Sequence, residues 1–347
     1  MAVDMFSTRT MLGMIQESEK KATTFLRDRY FGNVVTFDTA KIDIDIVSDH
    51  ERKVAPFVNP KVGGSIVERD GYRTNSYEAP EVSPMMVTTA EDMLKRSAGE
   101  SMYAMKSPTQ RASEEIGRNL SQLDDIITRR EEVMCSEALF SGQVTVNGVG
   151  YADVIQYWSQ LKSSEQPMTT LSTKWTASGA DPMADLRSIR RTVIQKCGTT
   201  PTEIVCGTGA IEALLAKLNS DKLDTRRVDL GMIDPSLLPN GVTYWGYLKD
   251  SGLDIFSYDS WYVNDAGTET AIVPNGSVLM GSPNVKTTMA YGCVALTGDD
   301  NVAFYEGRRV PDSWVQRANP SGRVVQIKAR PLPIINQVQG FHVISAI

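Results

Sequence analysis

The chain has 347 residues, of which 41% are hydrophobic and 22% charged, and carries a formal net charge of −6. That is an ordinary globular composition, long enough for about two domains, and its acidic balance argues against a nucleic-acid-gripping surface or a basic membrane patch. No apolar run approaches the ~20 residues of a membrane span. The opening residues lack the basic start and apolar core of a signal peptide, so the chain is expected to stay in the cytoplasm when made. The four cysteines form no C-x-x-C pair and read as reduced, packed thiols.

In chain order, residues 1–31 hold a helical pattern (Met11, Leu12, Ile15) and then TFLRDRYF, in which Phe25, Leu26, Tyr30 and Phe31 are apolar while Arg27 and Arg29 are not. This reads as an arm lying on another surface. Ile42, Ile44 and Ile46 then alternate with Asp43 and Asp45, the period of a half-buried strand. Residues 54–84 carry four prolines, three glycines and the tight-turn pair Asp70-Gly71. They predict a long hairpin with strands at 65–69 and 72–77. Such a hairpin has too few core residues to be stable alone and needs a partner surface.

Residues 107–142 predict the longest element. Ser107 is a good N-cap, Pro108 suits the first helical position, and Gln110 completes a capping box. Ile116, Leu120, Leu123, Ile127 and Met134 recur every three or four residues, with Arg130 at an interrupted turn, and Gly142 supplies the stop. The pattern predicts a helix of roughly 50 Å that buries one face. The acidic pairs Glu114-Glu115, Asp124-Asp125 and Glu131-Glu132 are sequence neighbours that do not face each other, and read as solvated charges.

After this helix, TVNGVGYADVIQYW predicts turns and a short strand, and 159–181 a polar linker anchored by Trp175. Asp181-Pro182 opens a helix with Leu186, Ile189 and Val193 on one face. A strand at 202–206, a helix at 208–220 and strands at 242–248, 253–263 and 277–281 complete a compact α+β unit over 182–296. Long apolar strands follow at 323–335 and 341–347, the first pushed towards a sheet edge by Pro331 and Pro333.

Chemistry-bearing motifs are sparse. Two histidines, His50 and His342, are few for imidazole catalysis or metal binding. CGTGAIEAL imitates a dinucleotide loop but has Glu212 where a third glycine belongs, so it reads as a strand-to-helix turn. Asp299-Asp300-Asn301 lacks the spacing and glutamate of a cation loop. No catalytic, cofactor-binding or metal-binding residues are predicted.

The order of parts is arm, long hairpin, long helix, compact α+β unit and returning strands. With TFLRDRYF, VNPKVGGSIVERDGY, Trp175 before Asp181-Pro182, KLDTRR (222–227), WYVNDAG (261–267), VPNGSVLMGSPN (273–284) and YGC (291–293), it resembles the Hong Kong 97 phage-type capsid fold. Within that fold it resembles the major head proteins of lambda-like tailed phages. The resemblance implies an α+β fold: an N-terminal arm (1–31), an extended hairpin loop with its flanking strand (32–88), a peripheral domain built on the spine helix (89–181, with strands from 297–347) and an axial domain (182–296). It implies a virion shell of homo-hexamers and pentamers assembled in the host cytoplasm, with a scaffold, a portal and a small decoration protein as partners. Packaged double-stranded DNA would be touched only by weak, non-specific contact. Phe25, Arg27 and Arg29 in the arm, and Lys61, Glu68, Arg69, Asp70, Arg73 and Glu78 in the loop, are the candidate inter-subunit contacts. Covalent crosslinking has no support in the residues. An encapsulin-like compartment shell and an enzyme with a site in 182–296 are the alternatives.

Overall fold

The spine helix sets the layout. In the computed structural model it spans Pro108–Ser141, 34 residues, and so about 50 Å. The structure describes residues 24–47, 72–89, 108–148, 150–159, 161–163, 165–218, 223–224, 241–297, 302–317 and 321–347, with 8, 11, 12, 15, 54, 57 and 91. The predicted cap, Ser107, lies outside them. Ile116, Leu120, Leu123, Ile127 and Met134 are all buried, as the periodicity requires. Gly142 ends the helix at φ +66°, and a Cβ there would lie 2.0 Å from the Trp158 ring, so both backbone and packing demand glycine. The interrupted turn differs from expectation. Arg130 points outward to Asp265 at 2.5 Å, and the stripe position is filled by Glu131, which is fully buried.

A seven-stranded mixed sheet runs in the order Met168–Thr170, His342–Ser345, Ser277–Gly281, Glu203–Cys206, Leu253–Tyr258, Val242–Leu248, Leu223–Asp224. Its side chains alternate between two buried faces. Ile204, Ile255, Val278, Met280 and Ile344 pack with the helices Pro182–Cys197 and Thr208–Lys217. Val205, Phe256, Leu279 and Val343 belong to the core shared with the arm and the end of the spine helix. The first of those helices starts as predicted: Asp181 accepts from the N–H groups of Met183 and Ala184, Pro182 sits in its first turn, and Gly198 closes it in a left-handed conformation.

Several predicted boundaries move. The last strand, assigned by the sequence to the peripheral strands of 297–347, lies between two strands of the seven-stranded sheet. The supposed linker contributes Met168–Thr170 to that sheet, and buried Trp175 donates its backbone N–H to Ala346 O at 2.9 Å and its indole N–H to Asp185 at 3.1 Å. The expected turns after the spine helix form a regular hairpin, Gln143–Gly148 with Tyr151–Gln156. The strand predicted at 253–263 splits into Leu253–Tyr258 and Trp261–Val263, the latter pairing with Glu269–Ala271. Residues 323–335 likewise split between two sheets. Gly322–Lys328 is central between Val310–Gln316 and Met85–Thr89. Pro331–Ile335 lies at the edge of a three-stranded sheet with Thr287–Tyr291 and Val34–Thr36, where its prolines cost no ladder bonds.

Of the predicted long hairpin, the second strand is present and pairs with a strand that the sequence pattern does not join to it. Tyr72–Glu78 pairs antiparallel with Lys41–Val47, from Lys41 opposite Glu78 to Val47 opposite Tyr72. The strand proposed at 65–69 and the Asp70-Gly71 turn lie outside the described residues. The ribbon's paired length is roughly 24 Å at 3.4 Å per residue. Its base is fixed by buried Ile42, by Tyr77 donating to Gln156 O at 2.9 Å, and by Arg330 gripping Glu81 at 2.8 Å.

Candidate functional site

The arm helix, Leu26–Tyr30, has no side-chain cap of its own. A five-residue helix leaves most of its N–H groups unmatched, and here the spine helix matches them. Glu132 accepts from Phe25 N at 2.9 Å, Leu26 N at 2.8 Å and Arg27 N at 3.0 Å, all buried. Burial pushes the Glu132 carboxyl above the usual carboxylate range, against the lowering effect of those three bonds.

One residue earlier, Glu131 turns to a different set of partners. Arg27 Nη1 lies 3.1 Å away, Arg309 Nη1 2.5 Å and Arg308 Nη2 3.7 Å, and the Tyr291 hydroxyl donates to it at 3.0 Å. Burial alone would raise this carboxyl; Arg309, Arg27 and Arg308 together hold it below its ordinary value. Arg309 also donates to Asp124 at 2.6 Å and to Thr128 at 3.3 Å. The cluster therefore joins four distant parts of the chain: the arm, the spine helix, the strand Thr287–Tyr291 and the segment leading into Val310–Gln316.

Arg29 completes the attachment. Its guanidinium grips the buried carboxylate of Glu203, on the seven-stranded sheet, through both Nε and Nη2 and lies 4.6 Å from the centre of the Phe256 ring. Tyr30 stacks edge-on against Phe341 at 5.3 Å, and Phe25 meets Phe256 and Tyr258.

Of the predicted contact residues, Phe25 and Arg27 are thus buried inside their own subunit, and Arg29 is part-buried against Glu203. The same arm helix brings all three together. Arg73 and Glu78 stand on the Tyr72–Glu78 strand, and Glu78 is exposed. Lys61, Glu68, Arg69 and Asp70 lie outside the described residues. The acidic pairs require a correction: Asp124, Asp125, Glu131 and Glu132 are buried, not solvated. Adjacent helix positions are about 100° apart, so each acid of a pair reaches its own partner. The one sequence sign was Glu131 at a position of the apolar stripe; its cationic partners lie more than 100 residues away in sequence.

The CGTG turn is filled by the protein itself. Asn275 accepts from Gly209 N at 2.5 Å through its side chain and from Ala210 N at 3.0 Å through its backbone. A Cβ on Gly207 would lie 2.3 Å from Pro274 O. The donors that would cradle a phosphate are taken, as expected for an ordinary turn. His342 is a buried strand residue within 2.8 Å of the Thr169 hydroxyl, and burial, helped by Lys196, lowers its pKa to about 4. His50 and 299–301 lie outside the described residues. All four cysteines are free and buried. Among the described residues, no group of three or more His, Cys, Asp or Glu is placed to hold a metal, and no helix is long and apolar enough to cross a membrane.

Comparison with known proteins places this geometry. The model of the family described as phage major capsid protein E matches residues 7–342. The major capsid protein of Enterobacteria phage P21 is 25% identical over 98% of this chain and 99% of its own length. The P21 prophage-derived major head protein of Escherichia coli O6:H1 matches with the same figures. A crystal structure of a prophage protein from E. coli CFT073 superposes with a TM-score of 0.70 at 19% identity, covering 98% of this chain and 99% of that one.

Proposed function

The chain belongs to the phage major capsid protein E family, and on that premise we propose how its parts build a shell. It is a phage major capsid protein with the Hong Kong 97 phage-type fold, a structural component of the virion whose copies assemble into the capsid. The observation that carries this is the family match over residues 7–342, nearly the whole chain.

The finer reading is ours. Copies assemble as hexamers and pentamers, in the host cytoplasm, on a scaffold and around a portal, and a small decoration protein binds the finished shell. DNA inside is met by weak contact only, consistent with the net charge of −6. The chain acts without catalysis or cofactor. Residues 41–78 form the extended loop, and Arg73, Glu78, Lys61, Glu68, Arg69 and Asp70 are its contacts with a neighbour. Mixed charges there set register more than affinity. A ribbon that projects from one subunit onto the next makes a heterologous contact, which closes into rings when the rotation allows. The arm, peripheral and axial regions keep the boundaries proposed from the sequence, with two changes. The final strand joins the axial sheet, and Phe25, Arg27 and Arg29 fasten the arm to its own subunit.

Replacing residues 45–74 by a two-residue turn, with Ile42 and Tyr77 kept, tests this. The expected product is a folded subunit with near-normal thermal stability that forms capsomers or free subunits but no closed shells in negative-stain images. Normal closed shells from this variant would refute the loop's role.

A further inference from the structure

Antiparallel hairpins at a protein surface normally show water a polar face. Two hairpins here do not. In Val294–Thr297 paired with Val302–Tyr305, Val294 and Leu296 face inward onto Val310. The opposite face presents Phe304, 74% exposed, beside exposed Val302. This hairpin is apolar on both sides. The second, Trp261–Val263 with Glu269–Ala271, presents Trp261 at 61% and Val263 at 64% exposure. Between it and the spine helix lies an open cleft of about 660 Å³, lined by Trp261, Val263, Ile126, Val133, Arg129 and Arg130.

The two surfaces face away from each other across the spine helix. The first hairpin leads directly into Arg308 and Arg309, which bind Asp124, Thr128 and Glu131. The cleft rests on Ile126, Arg129, Arg130 and Val133. At 100° per residue these two sets are centred roughly 180° apart. One side of the subunit therefore carries an apolar projection and the other a recess with Trp261, Val263, Ile126 and Val133 in its wall and charged residues around them. The cleft's lining charges are mixed, with Arg130 paired to Asp265 and Glu269 beside them, but Arg129 is exposed there and Glu306 is exposed next to the projection, which gives one pair of opposite charges available across the contact. Two unlike, complementary surfaces on opposite sides of one chain define a head-to-tail contact between identical copies, and exposed apolar patches of this kind mark association sites.

We propose that the Val302–Phe304 face of one subunit seats in the Trp261–Val263–Ile126 cleft of a second copy of this chain, with Glu306 against Arg129. This rests on the capsid reading above and assigns it a lateral contact separate from the extended loop.

The test uses the full chain expressed to form particles. All four native cysteines are buried, so introduced thiols can be read against a quiet background. In the double variant Val263→Cys with Phe304→Cys, oxidation of purified particles should give a ladder of subunit multiples on a non-reducing gel, and neither single variant should. In parallel, Phe304→Asp should leave subunit secondary structure and melting temperature unchanged and abolish closed shells; Arg129→Glu should weaken assembly and Glu306→Arg should restore it in the pair. Closed shells from the double cysteine variant without a ladder would overturn this contact and leave the capsid reading standing. Normal shells from Phe304→Asp would overturn it too. A wild-type chain that forms no assembly even when expressed with its scaffold would instead count against the self-assembly reading on which this contact rests.

Discussion

Replacing Glu132 by alanine probes how the arm is held. The carboxylate is the acceptor for three buried N–H groups, on Phe25, Leu26 and Arg27. Each buried donor left unmatched costs about 1–3 kcal/mol. Escape by undocking the arm is the competing response. The arm buries Phe25, Leu26, Tyr30 and Phe31, each worth about 1.5–3 kcal/mol in lost burial, and it would also surrender the Arg27 and Arg29 ion pairs. Staying docked is therefore cheaper, and the loss should appear as lower global stability, not as local fraying. Glu132→Ala should cost about 3–5 kcal/mol. Glu132→Gln keeps one oxygen acceptor but turns an amide N–H2 towards a backbone N–H, and should cost about 1–3 kcal/mol. Urea unfolding of unassembled subunits measures both, and amide exchange over 25–31 reports whether the arm stays docked. A loss under about 1 kcal/mol for Glu132→Ala, or free exchange of the arm in an otherwise stable subunit, would refute the capping argument.

Other positions test other parts of the structure. Leu123→Ala removes a fully buried side chain from the spine stripe and should cost about 2–5 kcal/mol by thermal or urea unfolding; an unchanged melting curve would mean the stripe is not a core face. Arg309→Ala removes the cation that pairs with buried Asp124 and one of the three around Glu131, which keeps Arg27 and Arg308, and should cost about 3–5 kcal/mol, whereas replacing Arg309 and Asp124 together by apolar residues should cost less. Folded His342 takes its proton near pH 4 and an unfolded histidine near 6.5, so the unfolded chain binds more protons between these values and stability falls as pH drops through that window, by up to roughly 3 kcal/mol. A His342→Gln variant should lose this slope in unfolding measured from pH 7 to 4. Residues 182–296 expressed alone should give a poorly dispersed amide spectrum, because they lack His342–Ser345 and the arm that covers Val205, Phe256 and Leu279.

Local pattern alone determined much of this protein. The spine helix, the Asp181-capped helix, the strands at 203–206, 242–248 and 277–281, and the edge place of Pro331 and Pro333 follow from periodicity, caps and proline chemistry, which act within a few residues. The ordered set of parts also carried the family. What local pattern could not determine is where long-range partners meet. Strand 72–78 was legible in the sequence, but its pairing with the distant strand 41–47 was not, because nothing within a local window links two alternating strands. The last strand reads as apolar wherever it lies, and only the sheet order places it beside Ser277–Gly281. Glu131 and Glu132 look solvated because acidic residues usually are. Their burial is tolerated only because Arg27, Arg308, Arg309 and the arm's own N–H groups, distant in sequence, arrive around the same two turns of helix. A buried charge is stable only with its partners in place, and the tertiary structure alone supplies them.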